Sequence, residues 1–238
     1  MGERIEMLPL PTQKNDVVEH LFFDCDGVIV DSEILSTHAF IAALAPYGYR
    51  AEVLEHSRRF AGMLHRDVVA AIADELDTVP ESDIFRQVDK HFEALFADSL
   101  TPVAGMPELL LHLGVMCSVV SNSHPEHIKH ALGRAGLGAN EPFGDRVYSA
   151  NHVSRPKPFP DIYQYAMRQN DLLPPQCLVV EDSTTGVRAA VAAGISVIGF
   201  CGASHITDGH AERLVSVGAT YIVHNATELG QLLSRLIS

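Results

Sequence analysis

The sequence predicts an α/β fold: a Rossmann-like parallel sheet with helices on both faces and a small α-helical domain inserted after the first strand. Two patterns carry that expectation. Short runs of β-branched and aromatic residues recur along the chain, and amphipathic helical stretches lie between most of them. A third observation is a long interval without a strand, from about Ser32 to Leu100, in which apolar residues return only at helical spacing.

In chain order, the first strand is His20–Asp24 (HLFFD). The inserted helices follow at Ala39–Leu44, Val68–Leu76 and Phe85–Phe96, punctuated by Pro46-Tyr47-Gly48, Pro80 and Thr101-Pro102. The alternation then resumes with strands at Val115–Ser121, Arg146–Ser149, Cys177–Glu181, Ser196–Phe200 and Ala219–Val223. Helices are expected at Pro125–Ala135, Pro160–Asn170, Thr184–Ala193 and Ala226–Ile237. This organisation predicts an N-terminal extension over 1–17, an α/β core from 18–33 and 101–238, and a helical cap over 34–100. Ser32–Leu35 and Leu100–Pro102 are the expected hinges. No internal repeat or low-complexity segment is present.

The chain has 238 residues, 17 Lys+Arg against 30 Asp+Glu, and a formal charge of −13. That length can bury a sizeable core without disulfide staples. The acidic balance argues against a nucleic-acid partner, because polyphosphate binding needs clustered Lys and Arg. The four cysteines, at 25, 117, 177 and 201, have no CxxC spacing and read as buried free thiols of a reducing compartment. The N-terminal stretch has no apolar run of signal-peptide length. The charge-free span 189–207 is broken by Gly194, Gly199 and Gly202, and reads as a helix end, a turn and a buried strand rather than a membrane span. The expectation is a cytoplasmic protein, monomeric or a small homo-oligomer, with no membrane partner.

Parallel sheets bind ligands at the carboxyl ends of their strands. The first strand ends in Asp24-Cys25-Asp26-Gly27, the second in Ser121-Asn122-Ser123 and the fourth in Glu181-Asp182-Ser183; Lys157 follows the third through a short loop. Each group alone is an ordinary turn, cap or surface residue. Together they bring four carboxylates, hydroxyls and one lysine to one edge. Such an acidic set calls for a divalent cation, and all-oxygen ligands favour Mg²⁺ over zinc. The chemistry these types suggest is phosphoryl transfer, with Asp24 and Asp26 dividing the work of nucleophile and proton carrier.

The ordered set Asp24-Cys25-Asp26-Gly27-Val28-Ile29-Val30-Asp31-Ser32-Glu33, Ser121, Lys157-Pro158-Phe159-Pro160-Asp161 and Glu181-Asp182-Ser183 resembles the four motifs of the haloacid dehalogenase (HAD) superfamily. It is most similar to the branch of sugar-phosphate phosphatases and β-phosphoglucomutases with a helical cap. The resemblance implies Asp24 as nucleophile, Asp26 as general acid/base, and Ser121, Asn122 and Lys157 as phosphate-binding residues. It also implies a Mg²⁺ site made by Asp24, the main-chain carbonyl of Asp26 and Asp182, with Glu181 supporting the metal directly or through water. The substrate it implies is a small phosphorylated metabolite, a sugar or sugar-acid phosphate, hydrolysed through an aspartyl-phosphate.

The alternative is a phosphosugar mutase. Within the superfamily, enzymes that cleave carbon–halogen or carbon–phosphorus bonds lack the second aspartate of the first motif, which is present here as Asp26. The histidine that the mutases carry ten residues after the acid/base aspartate is replaced by Ser36. Their cap Gly-x-x-Arg is displaced, with His65 in place of the arginine and Arg66 one place later. Both differences favour the hydrolase. Gly62, His65 and Arg66, with the basic pair Arg58-Arg59 nearby, are the candidate specificity residues of the cap. A catalytically silent relative is expected to lack a motif residue, and none is missing.

Overall fold

The computed structural model describes residues 18–60, 65–76, 81–138 and 142–237, with residues 65, 66, 81 and 82 described through their backbone only. The chain runs β1 (His20–Phe23), α1 (Glu33–Leu44), α2 (Val53–Arg59), α3 (His65–Leu76), α4 (Glu81–Ser99), α5 (Met106–Leu111), β2 (Met116–Ser121), α6 (Pro125–Arg134) and β3 (Val147–Ser149). It continues through α7 (Asp161–Gln169), β4 (Cys177–Glu181), α8 (Thr184–Ala192), β5 (Ser196–Phe200), α9 (His210–Ser216), β6 (Tyr221–Val223) and α10 (Ala226–Leu236). The six strands form one parallel sheet in the order β3-β2-β1-β4-β5-β6.

Alternation along the strands decides the layers. Leu21 and Phe23 pack on one face with Val119, Val180 and Ile198, whereas Phe22 packs on the other with Val120, Val179 and Val197. The first face is covered by α5, α6 and α10 through Met106, Ile128 and Leu229, and the second by α7, α8 and α9 through Tyr163, Val187 and Leu214. Helices α1–α4 enclose a third cluster of their own, which includes Phe40, Leu44, Val69, Ile72, Ile84 and Val88.

Register then places the polar edge. Phe23 is level with Val119 on β2 and Val180 on β4, so Asp24, Val120 and Glu181 reach the carboxyl end together. Strand order reverses between β1 and β4, the kind of position where open parallel sheets hold ligands.

The chain leaves and re-enters the sheet layer through two segments lying side by side. Asp31 N–H donates to the Thr101 carbonyl at 2.9 Å, Val103 N–H donates to the Ile29 carbonyl at 2.9 Å, and Val30 bridges Pro102. The first expected hinge, Ser32–Leu35, is largely helical: Ser32 is the N-cap residue of α1, which begins at Glu33. At the second, Leu100 is buried and its carbonyl accepts from Arg134 Nε at 3.0 Å. Three helices lie outside the sequence expectation, α2, α5 and α9, of seven, six and seven residues. Two turns are too short to display an amphipathic period. The span 189–207 resolves into the end of α8, a turn at Gly194 with φ 82°, and β5. No described helix is long and apolar enough to cross a membrane, and all four cysteines are free and buried.

Two buried histidines make this packing sensitive to acid. His20 Nε2 lies 2.7 Å from Ser118 Oγ on the neighbouring strand, and His56 Nδ1 lies 2.9 Å from Tyr49 Oη. Burial, then Arg146 for His20 and Arg59 for His56, pushes each ring down to about 4 from 6.5. Between those values the unfolded chain binds protons that the folded chain refuses. The stability held by the neutral rings is therefore complete above 6.5 and lost as pH falls toward 4. Urea unfolding at about pH 5 should show a lower midpoint than at about pH 7, and His20→Asn should narrow the difference; the window comes from the two shifts above.

Candidate active site

Beyond β1 the chain turns tightly. Ile29 and Val30 N–H both donate to the Cys25 carbonyl, at 2.9 and 3.0 Å, and Gly27 N–H donates to the Val30 carbonyl at 2.8 Å. Gly27 has φ 73°, and a Cβ there would lie 1.9 Å from Asp182 Oδ2. Backbone conformation and the approach of Asp182 both demand glycine.

Lys157 stands at the centre. Its Nζ donates to Asp24 Oδ1 at 2.6 Å, the Val120 carbonyl at 2.8 Å and Glu181 Oε1 at 2.5 Å, which accounts for all three of its protons. Burial opposes the ammonium charge, but Asp24 and Glu181 more than offset it and hold Lys157 well above the ordinary lysine range. Burial raises Asp24 well above the carboxylate range; Lys157 pulls it back, while Glu181 and Asp26 push it further up. Asp182 is raised by burial and by Glu181, Asp24 and Glu33.

Glu181 is fully buried. Its Oε1 also accepts from Tyr163 Oη at 3.3 Å, and its Oε2 accepts from the Ser183 N–H and Oγ at 3.2 and 3.0 Å. A Cβ on Gly186 would lie 1.7 Å from Glu181 Oε1, so this glycine makes room for the carboxylate. Ser183 Oγ in turn accepts from Gly186 N–H at 3.0 Å as the N-cap of α8.

Asp26 is oriented by hydroxyls. Ser32 Oγ donates to its Oδ1 at 2.6 Å, and Ser123 and Ser121 Oγ donate to its Oδ2 at 2.6 and 3.4 Å. Asn122 lines the cleft, but its side-chain amide is committed to the Lys157 peptide: Nδ2 donates to the Lys157 carbonyl at 3.1 Å and Oδ1 accepts its N–H at 2.9 Å. That arrangement makes Asn122 a brace for the lysine.

A cleft of about 390 Å³ opens over this set. Asp24, Asp26, Ser121, Lys157 and Asp182 are on its wall, and Phe92 and Phe96 of α4 with His127 of α6 form an aromatic side. Asp24, Glu181 and Asp182 each bring a carboxylate oxygen within 4.8 Å of the others. Three carboxylates around one ammonium leave a surplus of two negative charges, and an all-oxygen set fits a hard divalent cation. Among the described residues, Asp24 Oδ2 and Asp182 Oδ1 have no hydrogen-bond partner, whereas both Glu181 oxygens are engaged.

Among the remaining sequence candidates, Gly62 lies outside the described residues, and His65 and Arg66 are described only as backbone at the start of α3. Arg59 pairs with Glu75 and lies 4.8 Å over the Phe60 ring. Sequence reasoning missed Tyr163, His205 and His210, and it placed Ser123 at the strand end without giving it the hydrogen bond to Asp26. His210 Nε2 lies 2.6 Å from the Asp182 carbonyl oxygen and His205 Nε2 lies 3.4 Å from Asp182 Oδ2. Both histidines follow β5, and inspecting that strand's carboxyl end as the others were inspected would have found them.

Residues 21–200 match the haloacid dehalogenase-like hydrolase family. The chain is 27% identical over 208 residues to 6-phosphogluconate phosphatase of Escherichia coli K12, covering 87% of this chain and 91% of that protein. It is 27% identical over 211 residues to a phosphorylated carbohydrates phosphatase of Thermotoga maritima, covering 87% and 94%. A HAD family hydrolase from Deinococcus radiodurans R1, crystallised with bound phosphate and sodium, matches with a TM-score of 0.80 at 32% identity over 92% of this chain and 97% of that one.

Lys157→Met strands two buried carboxylates, and the loss of about 3–5 kcal/mol typical of a broken buried pair should appear as a lower urea midpoint. Gly186→Ala forces Glu181 off its contacts, and denaturant titration should show a loss of about 1–3 kcal/mol, as for other overpacked sites.

Proposed function

Given that this chain belongs to the haloacid dehalogenase-like hydrolase family, we propose that it is a Mg²⁺-dependent phosphatase that hydrolyses a small phosphorylated sugar or sugar acid through an aspartyl-phosphate on Asp24. The observation that carries this reading is the division of labour around Lys157. One oxygen of Asp24 is held by the ammonium and the other is free, while a second carboxylate, Asp26, is oriented separately by three serines.

In the first step the free Asp24 oxygen attacks phosphorus as the ester P–O bond breaks. Asp26 gives its proton to the departing alkoxide. Ser121 offers a hydrogen bond to a phosphoryl oxygen, and the Lys157 ammonium, its three protons committed, supplies positive charge beside the transferring group, where positioning and electrostatics supply most of the catalysis. In the second step water attacks the aspartyl-phosphate, its proton passes to Asp26, and the Asp24 carboxylate is restored as inorganic phosphate leaves. A serine hydroxyl can donate or accept, so Ser32 and Ser123 can stay bonded to Asp26 in both protonation states. A bound Mg²⁺, held by Asp24, Asp182 and the Asp26 carbonyl, would offset charge on the transferring group. Glu181 then serves as the anchor of Lys157.

Residues 34–100 act as a cap in this reading: Phe92 and Phe96 come from α4 and wall the cleft. The relatives named for 6-phosphogluconate and phosphorylated carbohydrates support a sugar-derived substrate. Asp24→Asn should lower phosphate release from such esters by at least about 1,000-fold, as expected when a covalent nucleophile is removed. Its circular dichroism and urea midpoint should stay close to wild type; turnover within a few-fold of wild type would refute the assignment.

A further inference from the structure

Beside the cleft lies a second cavity of about 390 Å³, a size used by small-molecule sites. Both cavities are lined by Glu33, Ser183, His205 and His210. The two cavities therefore adjoin at these four residues.

The rest of this wall is chemically uneven. Ser36 and Thr37 of α1, Ser57 of α2, and Thr184 and Thr207 from the sheet side contribute hydroxyls, and Phe40, Phe60 and Val68 close an apolar side. Arg213 of α9 is the one lysine or arginine among the described residues lining it. Its guanidinium reaches the Asp208 carbonyl at 3.5 Å and His210 Nδ1 at 3.3 Å, and it makes no ion pair with a carboxylate among the described residues. In a chain of net charge −13, a partly buried arginine without a counter-ion is conspicuous, because buried charges are normally paired.

His210 fixes its position. A carbonyl oxygen only accepts, so His210 Nε2, 2.6 Å from the Asp182 carbonyl, is the donor there. Nδ1 is then an acceptor and takes the Arg213 Nη2 proton. One ring thus ties the guanidinium to the residue whose carboxylate lines the catalytic cleft.

We infer that Arg213 is a specificity residue that binds a carboxylate at the end of the substrate remote from its phosphate, making the substrate a phosphorylated sugar acid. The hydroxyls of Ser36, Thr37, Ser57, Thr184 and Thr207 receive the hydroxylated carbons between the two anionic ends. The planar guanidinium matches a carboxylate through two parallel hydrogen bonds. A single arginine among hydroxyls, with Glu33 on the same wall to repel further negative charge, suits a monoanion better than a second phosphate. This inference rests on the phosphatase reading and adds to it the second anionic group and the residue that recognises it.

The test compares 6-phosphogluconate with sorbitol 6-phosphate, which differ only in carboxylate against CH2OH, and adds fructose 1,6-bisphosphate. Wild type should favour the acid over the alditol. In Arg213→Gln the acid-to-alditol ratio of kcat/KM should fall about 10-fold or more, through KM for the acid, as loss of a charged hydrogen bond predicts; Arg213→Lys should fall in between. An unchanged ratio overturns the inference, and so does a bisphosphate preference that Arg213→Gln abolishes. If no ester is hydrolysed, the phosphatase reading fails by itself, and ligand-induced Tm shifts decide the inference. A shift by 6-phosphogluconate that exceeds that of sorbitol 6-phosphate and is lost in Arg213→Gln sustains it, whereas equal shifts in both proteins overturn it.

Discussion

One ammonium group organises this molecule's polar edge. Lys157 ties the ends of β1, β2 and β4 together through Asp24, the Val120 carbonyl and Glu181. Burying such an ion pair is a poor way to gain stability, since desolvation consumes most of the attraction. What the arrangement gains is orientation. It leaves one oxygen of Asp24 free and sets Glu181 under the cleft, and it makes the Asn122 amide a brace for the lysine's own peptide. Tyr163, Ser183 and the missing side chain of Gly186 then follow as requirements for housing Glu181.

The helical insertion adds a different kind of surface. The sheet contributes carboxylates and hydroxyls, whereas α4 contributes Phe92 and Phe96 to the cleft. Phe96 packs against His127 and His130 of α6, with ring centroids 5.0 and 5.3 Å away, and Arg134 holds the Asp98 and Leu100 carbonyls. The far end of α4 is therefore attached to the core. Side-by-side crossings at Val30 and Pro102 give the insertion a two-stranded connection rather than two loose linkers.

Much of the edge was legible because a strand declares its own end. HLFFD, the Val115–Ser121 run and CLVVE pass from apolar to polar at the places where β1, β2 and β4 stop, so Asp24, Ser121 and Glu181 could be placed from local pattern. Gly27 was legible too, as a turn residue beside two aspartates. The helices α2, α5 and α9 were not, because two turns carry too little periodicity. The start of α1 within Ser32–Leu35 was not legible for a related reason: the sequence does not show where the helix begins relative to its polar first turn.

By itself the sequence determined the parallel sheet, the helical insertion and which chemistry-bearing residues stand at strand ends, since these depend on periodicity and on turn-forming residues near in the chain. Only the tertiary structure decided what those residues touch. Asp24 and Lys157 are 133 positions apart, Asp26 and Ser123 are 97 apart, and His210 meets Asp182 across 28. Partners so distant are chosen by strand order, register and side-chain packing, which no local pattern encodes. The same holds for Arg213, an ordinary residue of a short helix until the fold turns it toward a cavity lined with hydroxyls.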